Sequence, residues 1–276
     1  MPDEPDNLFK SYDEFNAFIE EAKKGNGDII RQEVYENTKK MPMPTEYSQD
    51  FVGMYVHGGH EQFRIQDHEP AFASFRKFSQ KLYPIYLFYA EAPDHDDSSM
   101  TELVKKYGPV KLIQIPVLKD IYEYSEFMFF DAFTQIPAEH NNVLLFQHDG
   151  FFKVPGWEEF ITHHDPDYIG APWRTGCDPS KFSFKDGVNL DVPADFEPVV
   201  GNGGFSFRKR NKMLEVSSTL SKGDVTWEGE GVAEDSLYCY IGFGKGIFKD
   251  ISPDIAGEFS HEPYNTEYGI GFHGFI

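Results

Sequence analysis

The sequence has few cysteines for its length and lacks a long apolar run. Two cysteines, Cys177 and Cys239, among 276 residues are too few for a disulfide framework or a cysteine-based zinc site, so we expect two reduced thiols. No apolar run approaches the roughly 20 residues that span a bilayer, and the N-terminus has no basic and apolar signal pattern. These absences predict a cytoplasmic protein with no transmembrane segment and no secretory signal.

Basic residues are also scarce. The chain has 25 Lys and Arg against 46 Asp and Glu, which gives a net charge of −21 at pH 7. Such a surface repels phosphates, so we expect no bulk binding of nucleic acid unless a local basic groove overrides the net field. Aromatic residues, at 16%, are abundant and supply flat rings that pack in a core or stack on sugars and bases.

Apolar periodicity predicts a helical N-terminal extension, residues 1–48, followed by one α/β domain, residues 49–276. The extension contains two amphipathic stretches, the first opened by the capping pattern Ser11-x-x-Glu14 and the second at 29–40. In the domain, short apolar strands alternate with helices, which favours a mostly parallel sheet covered by helices on both faces. The predicted strands and helices are, in order, 51–56, 67–82 (helix), 84–89, 99–108 (helix), 111–115, 121–133 (helix) and 142–146. A long loop is expected at 175–198.

The strand 142–146 leads directly into Gln147, His148 and Asp149. Because ligands of such sheets bind at the carboxyl ends of the strands, these side chains are placed at the substrate edge. A carboxylate at Asp149 can hold a divalent cation that bridges a diphosphate. It can equally cap the turn at Gly150, and the spacing alone leaves both interpretations open.

Two later segments combine aromatic residues and glycines. Residues 167–173 end in Trp173, which either anchors a loop or forms the wall of a sugar or base site. Residues 201–204, Gly-Asn-Gly-Gly, form either a tight turn or a segment whose backbone closely approaches a ligand. No GxGxxG or GxxxxGK[ST] spacing is present, which argues against a Rossmann or P-loop phosphate site.

Acidic and imidazole side chains follow. Glu234 and Asp235 open a predicted helix, where acids stabilise the N-terminus or one of them acts as a general base. His273 lies in a glycine-rich segment near the C-terminus. It is either a solvated tail residue or the last ligand of a metal site.

Taken in this order, these segments resemble a family of GT-A-type glycosyltransferases known as a domain of unknown function and found near polysaccharide genes. Its members have a strand ending in Gln-x-Asp, then Asp-Tyr-Ile-Gly-Ala-Pro-Trp, Gly-Asn-Gly-Gly, a Glu-Asp pair and a late His-Gly or His-Lys. The resemblance covers residues 50–276, with these motifs at 147–149, 167–173, 201–204, 234–235 and 273–274.

The resemblance implies a GT-A fold and transfer of a sugar from a nucleotide-sugar donor to a hydroxyl of a glycan or another acceptor. Because a positioned base suits a single displacement, we expect inversion at the anomeric carbon. It implies that Asp149 and His273 bind Mn²⁺ or Mg²⁺ and that Asp235, with Glu234 as the competing candidate, acts as the base. The implied substrate-binding residues are Gln147, His148, Trp173, Gly201, Asn202, Gly203 and Gly204.

Two other functional classes stay open from the sequence. A nucleotidyltransferase has a similar core but usually carries a glycine-rich basic loop after its first strand, where this chain has His57-Gly58-Gly59-His60. A non-catalytic carbohydrate-binding protein could keep the same fold. The released product, a nucleoside diphosphate or pyrophosphate, distinguishes the first alternative from a glycosyltransferase.

Overall fold

The computed structural model describes residues 26–59, 62–90, 98–173, 177–193, 195–227, 232–261 and 270–274. The helices in these ranges are α1 (Asn26–Lys39), α2 (Ile65–Phe78), α3 (Ser98–Tyr107), α4 (Ile121–Phe130), α5 (Trp157–His164), α6 (Arg210–Ser217), α7 (Glu234–Gly244) and α8 (Pro253–Phe259). The strands are β1 (Val52–His57), β2 (Ile85–Ala90), β3 (Val110–Ile115), β4 (Asn142–Phe146), β5 (Gly150–Phe152), β6 (Tyr168–Gly170), β7 (Ser183–Phe184), β8 (Phe205–Lys209), β9 (Val225–Thr226), β10 (Ser260–His261) and β11 (Gly271–His273).

The central sheet is mixed and mostly parallel, as the sequence predicts. Its strand order is β3-β2-β1-β4-β8-β6. The four strands from β3 to β4 are parallel, whereas β8 is antiparallel to both of its neighbours. The carboxyl ends of β1, β2, β3 and β4 therefore lie at one edge of the sheet.

Alternate residues of β4 point into two separate buried layers. Leu144 and Phe146 pack in the apolar cluster that contains the buried side chains of α2. Val143 and Leu145 pack in the cluster that contains those of α4 and α7. All four side chains are at most 1% exposed. Burial on both faces explains why this strand is a continuous apolar run without alternation.

The direction of β8 decides which segment reaches the substrate edge. Because β8 is antiparallel to β4, its first residue, Phe205, pairs with Phe146 at the end of β4. Residues 201–204, which precede β8, consequently lie beside the turn that follows β4. The alternation of Phe205, Ser206 and Phe207 predicts a strand after this segment but does not specify its direction.

A small second sheet brings the C-terminal segment to the same place. Strand β11 pairs antiparallel with β5, so that His273 lies opposite Gly150. Strand β10 pairs in parallel with β11 on its other side. The chain therefore returns, near its end, to the turn after β4.

Three predicted boundaries need correction. The helix predicted at 67–82 ends at Phe78, because the Gln80 amide donates to the Glu158 carboxylate at 2.6 Å and does not continue the helical ladder. The helix predicted at 121–133 ends at Phe130 and is followed by a 3₁₀ turn. The loop predicted at 175–198 contains β7, which pairs with β9.

The second predicted helix of the extension is present as α1, whereas the first, opened by Ser11, lies outside the described residues. Val34 of α1 is buried in the same apolar cluster as Phe72 of α2. The division of the chain at residue 48 stays a prediction. Across the ranges that the structure covers, no helix has both the length and the apolar character needed to cross a bilayer.

Candidate active site

The turn after β4 places three adjacent side chains in different environments. The Gly150 amide closes the turn by donating to the Gln147 carbonyl at 3.0 Å. Nε2 of Gln147 donates to the Tyr124 hydroxyl at 2.9 Å, whereas His148 is exposed. The Asp149 side chain is only 14% exposed. Asp149 thus combines charge with burial at the substrate edge.

The structure brings Asp149 and His273 together, although they are far apart in the sequence. The Gly274 amide donates to the Asp149 carbonyl at 3.2 Å, which fixes β11 against the turn. Oδ2 of Asp149 lies 3.6 Å from Nε2 of His273. Oδ1 of Asp149 is buried and has no hydrogen-bond partner among the described residues, and Nδ1 of His148 lies 3.9 Å from it, beyond hydrogen-bond distance. An orphaned carboxylate oxygen is costly to bury, so this arrangement favours a bound cation.

The two side chains fit a divalent cation whose remaining coordination positions are filled by the substrate. Carboxylate oxygens suit Mg²⁺ and Mn²⁺, and imidazole is the commonest metal ligand among side chains. Protein sites for Mg²⁺ often supply one or two ligands and leave the others to substrate phosphates. Within the ranges the structure covers, no cluster of three His, Cys, Asp or Glu could hold a metal ion. Among these residues, Asp149 and His273 therefore form an open pair and not a closed structural metal site.

Gly203 and Gly204 connect this pair to the acidic helix α7. A Cβ added to Gly204 would overlap the imidazole ring of His273, and one added to Gly203 would lie 2.8 Å from Cβ of Asp235. The Gly203 amide also donates to Oδ2 of Asp235 at 2.8 Å. Oδ1 of Asn202 accepts from the Gly204 amide at 3.2 Å. Contacts with protein side chains thus require glycine at both positions.

Trp173 borders the other end of this glycine segment. Gly201 has a φ of +150°, and a Cβ there would lie 2.8 Å from Cη2 of the indole. The Trp173 amide donates to the Val199 carbonyl at 2.8 Å, and its side chain is partly exposed. The indole therefore lies against the backbone of Gly201, with part of its surface open.

The adjacent acids Glu234 and Asp235 have different surroundings. Oε1 of Glu234 accepts from Nη2 of Arg208 at 3.0 Å, and both side chains are buried. Asp235 is partly exposed, and its Oδ1 accepts from the Ser236 amide at 2.6 Å. Burial, followed by the negative charge of Glu234, raises the pKa of Asp235 to about 6. Asp235 is thus a stronger base than an ordinary aspartate and is still mostly ionised at neutral pH.

Sequence reasoning missed Arg208 and Tyr124. Arg208 follows the buried residues Phe205 and Phe207 in an apolar strand, and a charge in that position signals a buried ion pair. Tyr124 is one of several aromatic residues in α4, and no sequence signal separates it from the others. Burial and then the negative charge of Glu234 raise the pKa of Tyr124, so its hydroxyl stays protonated at neutral pH.

A cluster of aromatic and imidazole rings lies at the carboxyl end of β1. The Tyr55 hydroxyl lies 2.6 Å from Nδ1 of His68, and Phe63 stacks on His68 with ring centres 4.0 Å apart. The rings of His57 and His148 lie 5.0 Å and 6.3 Å from that of His68. These rings connect the end of β1 with the end of β4.

The residues of the candidate active site lie in the part of the chain that a protein-family model matches. The family model described as "Protein of unknown function (DUF5672)" matches residues 109–273. This range includes Tyr124, Asp149, Asp235 and His273, but not the rings at the end of β1. No curated protein sequence matches the chain at a significant level.

Comparison with solved structures shows the fold. Mouse xyloside xylosyltransferase 1, in its apo form, is 13% identical, with a TM-score of 0.50 over 84% of this chain and 98% of that one. Core-mannan synthase A from Aspergillus fumigatus, in an Mn/GDP form, is 8% identical, with a TM-score of 0.48 over 75% and 74%. The mannosyltransferase PcManGT from Pyrobaculum calidifontis, in complex with GDP-Man and Mn²⁺, is 11% identical, with a TM-score of 0.39 over 80% and 60%. Of these three, the xylosyltransferase has a TM-score of 0.50, and this likeness shows a GT-A fold.

Proposed function

We propose that this chain, which belongs to the DUF5672 family, is a nucleotide-sugar-dependent glycosyltransferase. One observation carries the proposal: the Asp149–His273 pair and Asp235 both border the same glycine segment, with His273 against Gly204 and Asp235 hydrogen-bonded to Gly203. The pair provides a place for a cation and the donor diphosphate. Asp235 provides a base for the acceptor.

On the donor side, Asp149 and His273 would hold Mn²⁺ or Mg²⁺, which offsets the negative charge that builds on the leaving nucleoside diphosphate. The cation would give Oδ1 of Asp149 the partner that it lacks among the described residues. Gln147, held by Tyr124, and the exposed His148 lie beside this position and would contact the donor.

On the acceptor side, the Gly203 and Ser236 amides hold the Asp235 carboxylate in place. Asp235 would accept the proton of the acceptor hydroxyl while its oxygen attacks the anomeric carbon and the nucleoside diphosphate leaves from the opposite face. This single displacement inverts the anomeric carbon. Asn202 would position a sugar, and Trp173 would form an apolar wall. Glu234 is engaged by Arg208, so its role would be to position Asp235.

The test is a thermal-shift screen of nucleotide sugars with and without Mn²⁺, followed by analysis of the products. A donor at about 100 times its Kd should stabilise the protein by about 2.7 kcal/mol. Incubation with a glycan or another hydroxyl acceptor should release the nucleoside diphosphate. The Asp149→Asn variant should lose the Mn²⁺-dependent part of the shift, whereas Asp254→Asn, at an exposed acid of α8, should keep it.

Three results would contradict the proposal. Release of pyrophosphate would identify a nucleotidyltransferase. Sugar binding without turnover of any donor would identify a carbohydrate-binding protein. An unchanged Mn²⁺-dependent shift in Asp149→Asn would remove this residue from the metal site.

A further inference from the structure

A pocket of about 440 Å³ lies among α1, α2 and α3. None of the residues that line it belongs to the candidate active site. Its polar lining consists largely of three lysines and two tyrosines: Lys39, Lys77, Lys106, Tyr35 and Tyr107. One wall is formed by α1, which precedes the residues that the family model matches.

Lys77 is the least neutralised of the three lysines. Its Nζ donates to the Met41 carbonyl at 2.6 Å, which uses one of its three donors. Among the described residues, no acid forms an ion pair with it. Burial, followed by the positive charge of Lys106, lowers the pKa of Lys77. The ammonium groups therefore repel each other in a partly dehydrated pocket, and a bound anion would relieve that repulsion.

The other two lysines have acidic partners that balance only part of the charge. Lys39 pairs with Glu36 at 2.7 Å, and Lys106 pairs with Glu69. Glu69 also accepts from the Tyr107 hydroxyl at 2.9 Å. Among the described residues, the three lysines that line the pocket outnumber the two glutamates that pair with them. This local excess stands out in a chain whose net charge is −21.

We propose that this pocket binds a phosphate-bearing small molecule. Lys77 and Lys106 would contact the phosphate, and the rings of Tyr35 and Tyr107 would pack against the organic part. A volume of about 440 Å³ exceeds what a bare phosphate needs and lies in the range of small-molecule sites. The proposal does not depend on the glycosyltransferase assignment, because the two sites share no residue.

Pyridoxal 5′-phosphate is a suitable probe for this site in the full chain. Its aldehyde condenses with a lysine amine and loses water, and borohydride reduces the resulting imine to a stable secondary amine. Peptide mass spectrometry then locates the label. Lys77 should be labelled roughly tenfold more than Lys212, a lysine of α6 that pairs with Glu215, because Lys106 would hold the phosphate of the probe. Inorganic phosphate should protect Lys77, and pyridoxal without phosphate should show a much smaller preference, which the lowered pKa of Lys77 alone would cause.

Equilibrium binding of the same probe can be monitored by its absorbance before borohydride is added. Comparing variants in this assay separates the loss of a charge from misfolding. Lys106→Gln should weaken binding roughly tenfold or more, whereas Lys106→Arg should retain most of the affinity. Lys212→Gln is the matched control and should bind like the wild type. Uniform labelling of lysines, labelling of Lys77 by pyridoxal as strong as that by pyridoxal 5′-phosphate, or full affinity in a folded Lys106→Gln variant would overturn the proposal.

Discussion

Arg208 and Glu234 form a buried ion pair with an Nη2–Oε1 distance of 3.0 Å. Nε of Arg208 also donates to the Ser206 hydroxyl at 3.0 Å, and the guanidinium lies 5.0 Å from the ring centre of Tyr168. The two charged side chains are only 0% and 6% exposed. The ion pair therefore fixes the first turn of α7 against β8, and with it the position of Asp235.

We expect Glu234→Gln to lower the free energy of unfolding by up to about 3–5 kcal/mol, because Arg208 would lose the carboxylate that it contacts directly and would keep only Asp235 as a nearby negative charge. Urea unfolding measures this change. Glu215→Gln removes the exposed partner of Lys212 and should cost less than about 1 kcal/mol. A Glu234→Gln variant that is fully stable but inactive would instead identify Glu234 as the base.

We expect Asp235→Asn to lower kcat by ~10²–10⁴-fold, because the variant cannot accept the acceptor proton. Donor affinity should change little, since asparagine has a similar shape and its carbonyl can accept from the Gly203 amide. Steady-state kinetics with a donor from the binding screen measure both quantities. Asp254→Asn is the control at an exposed acid. Turnover near the wild-type rate in Asp235→Asn would exclude Asp235 as the base.

The raised pKa of Asp235 predicts a pH dependence of activity. Because the base must be ionised, kcat/KM should fall as the pH drops below about 6. A pH–rate profile measures this limb. If the limb persisted in the residual activity of Asp235→Asn, another group would be responsible for it.

The raised pKa of Asp235 also predicts that stability depends on pH, but stability should fall with rising pH whereas activity should rise. The pKa of Asp235 is raised from 3.8 to about 6, so the folded state binds this proton more tightly than the unfolded chain. The stabilisation from this group is therefore present at low pH and is lost as the pH rises through about 6. Urea unfolding across this range should show that Asp235→Asn removes this contribution. An unchanged pH dependence in the variant would show that Asp235 is not its source.

The sequence predicts the elements best where local composition decides the structure. Strand β4 occupies the predicted residues 142–146 because its apolar run is buried on both faces. The end of α2 is harder to predict, because the Gln80 amide donates a hydrogen bond to the carboxylate of Glu158, a residue that is distant in the sequence. Local periodicity contains no information about such a long-range acceptor.

The site itself depends on strand pairings that no local pattern specifies. The antiparallel direction of β8 places residues 201–204 beside the turn after β4, and the pairing of β11 with β5 places His273 opposite Gly150. The proximity of Asp149 and His273 was expected from the family resemblance and not from spacing. The Arg208–Glu234 pair could have been suspected, since an arginine in an apolar strand requires a partner.

The contact between Gly204 and His273 predicts that Gly204→Ala weakens metal binding. The added methyl group would overlap the imidazole and displace Nε2 from its position 3.6 Å from Asp149. Mn²⁺ affinity in the presence of a nucleoside diphosphate should fall about tenfold or more, as measured by titration with electron paramagnetic resonance.

Two controls determine whether Gly204→Ala lowers Mn²⁺ affinity by displacing the imidazole of His273. Gly257→Ala in α8 should leave Mn²⁺ affinity unchanged, because the nearest atom to the new methyl group, Cγ of Pro172, is 4.0 Å away. Adding Gly204→Ala to His273→Ala should cause no further loss, because substitutions that act through one interaction are not additive. If the two losses were additive, Gly204 would contribute by another route. If Gly204→Ala bound Mn²⁺ like the wild type, His273 would not be a ligand held in place by this contact.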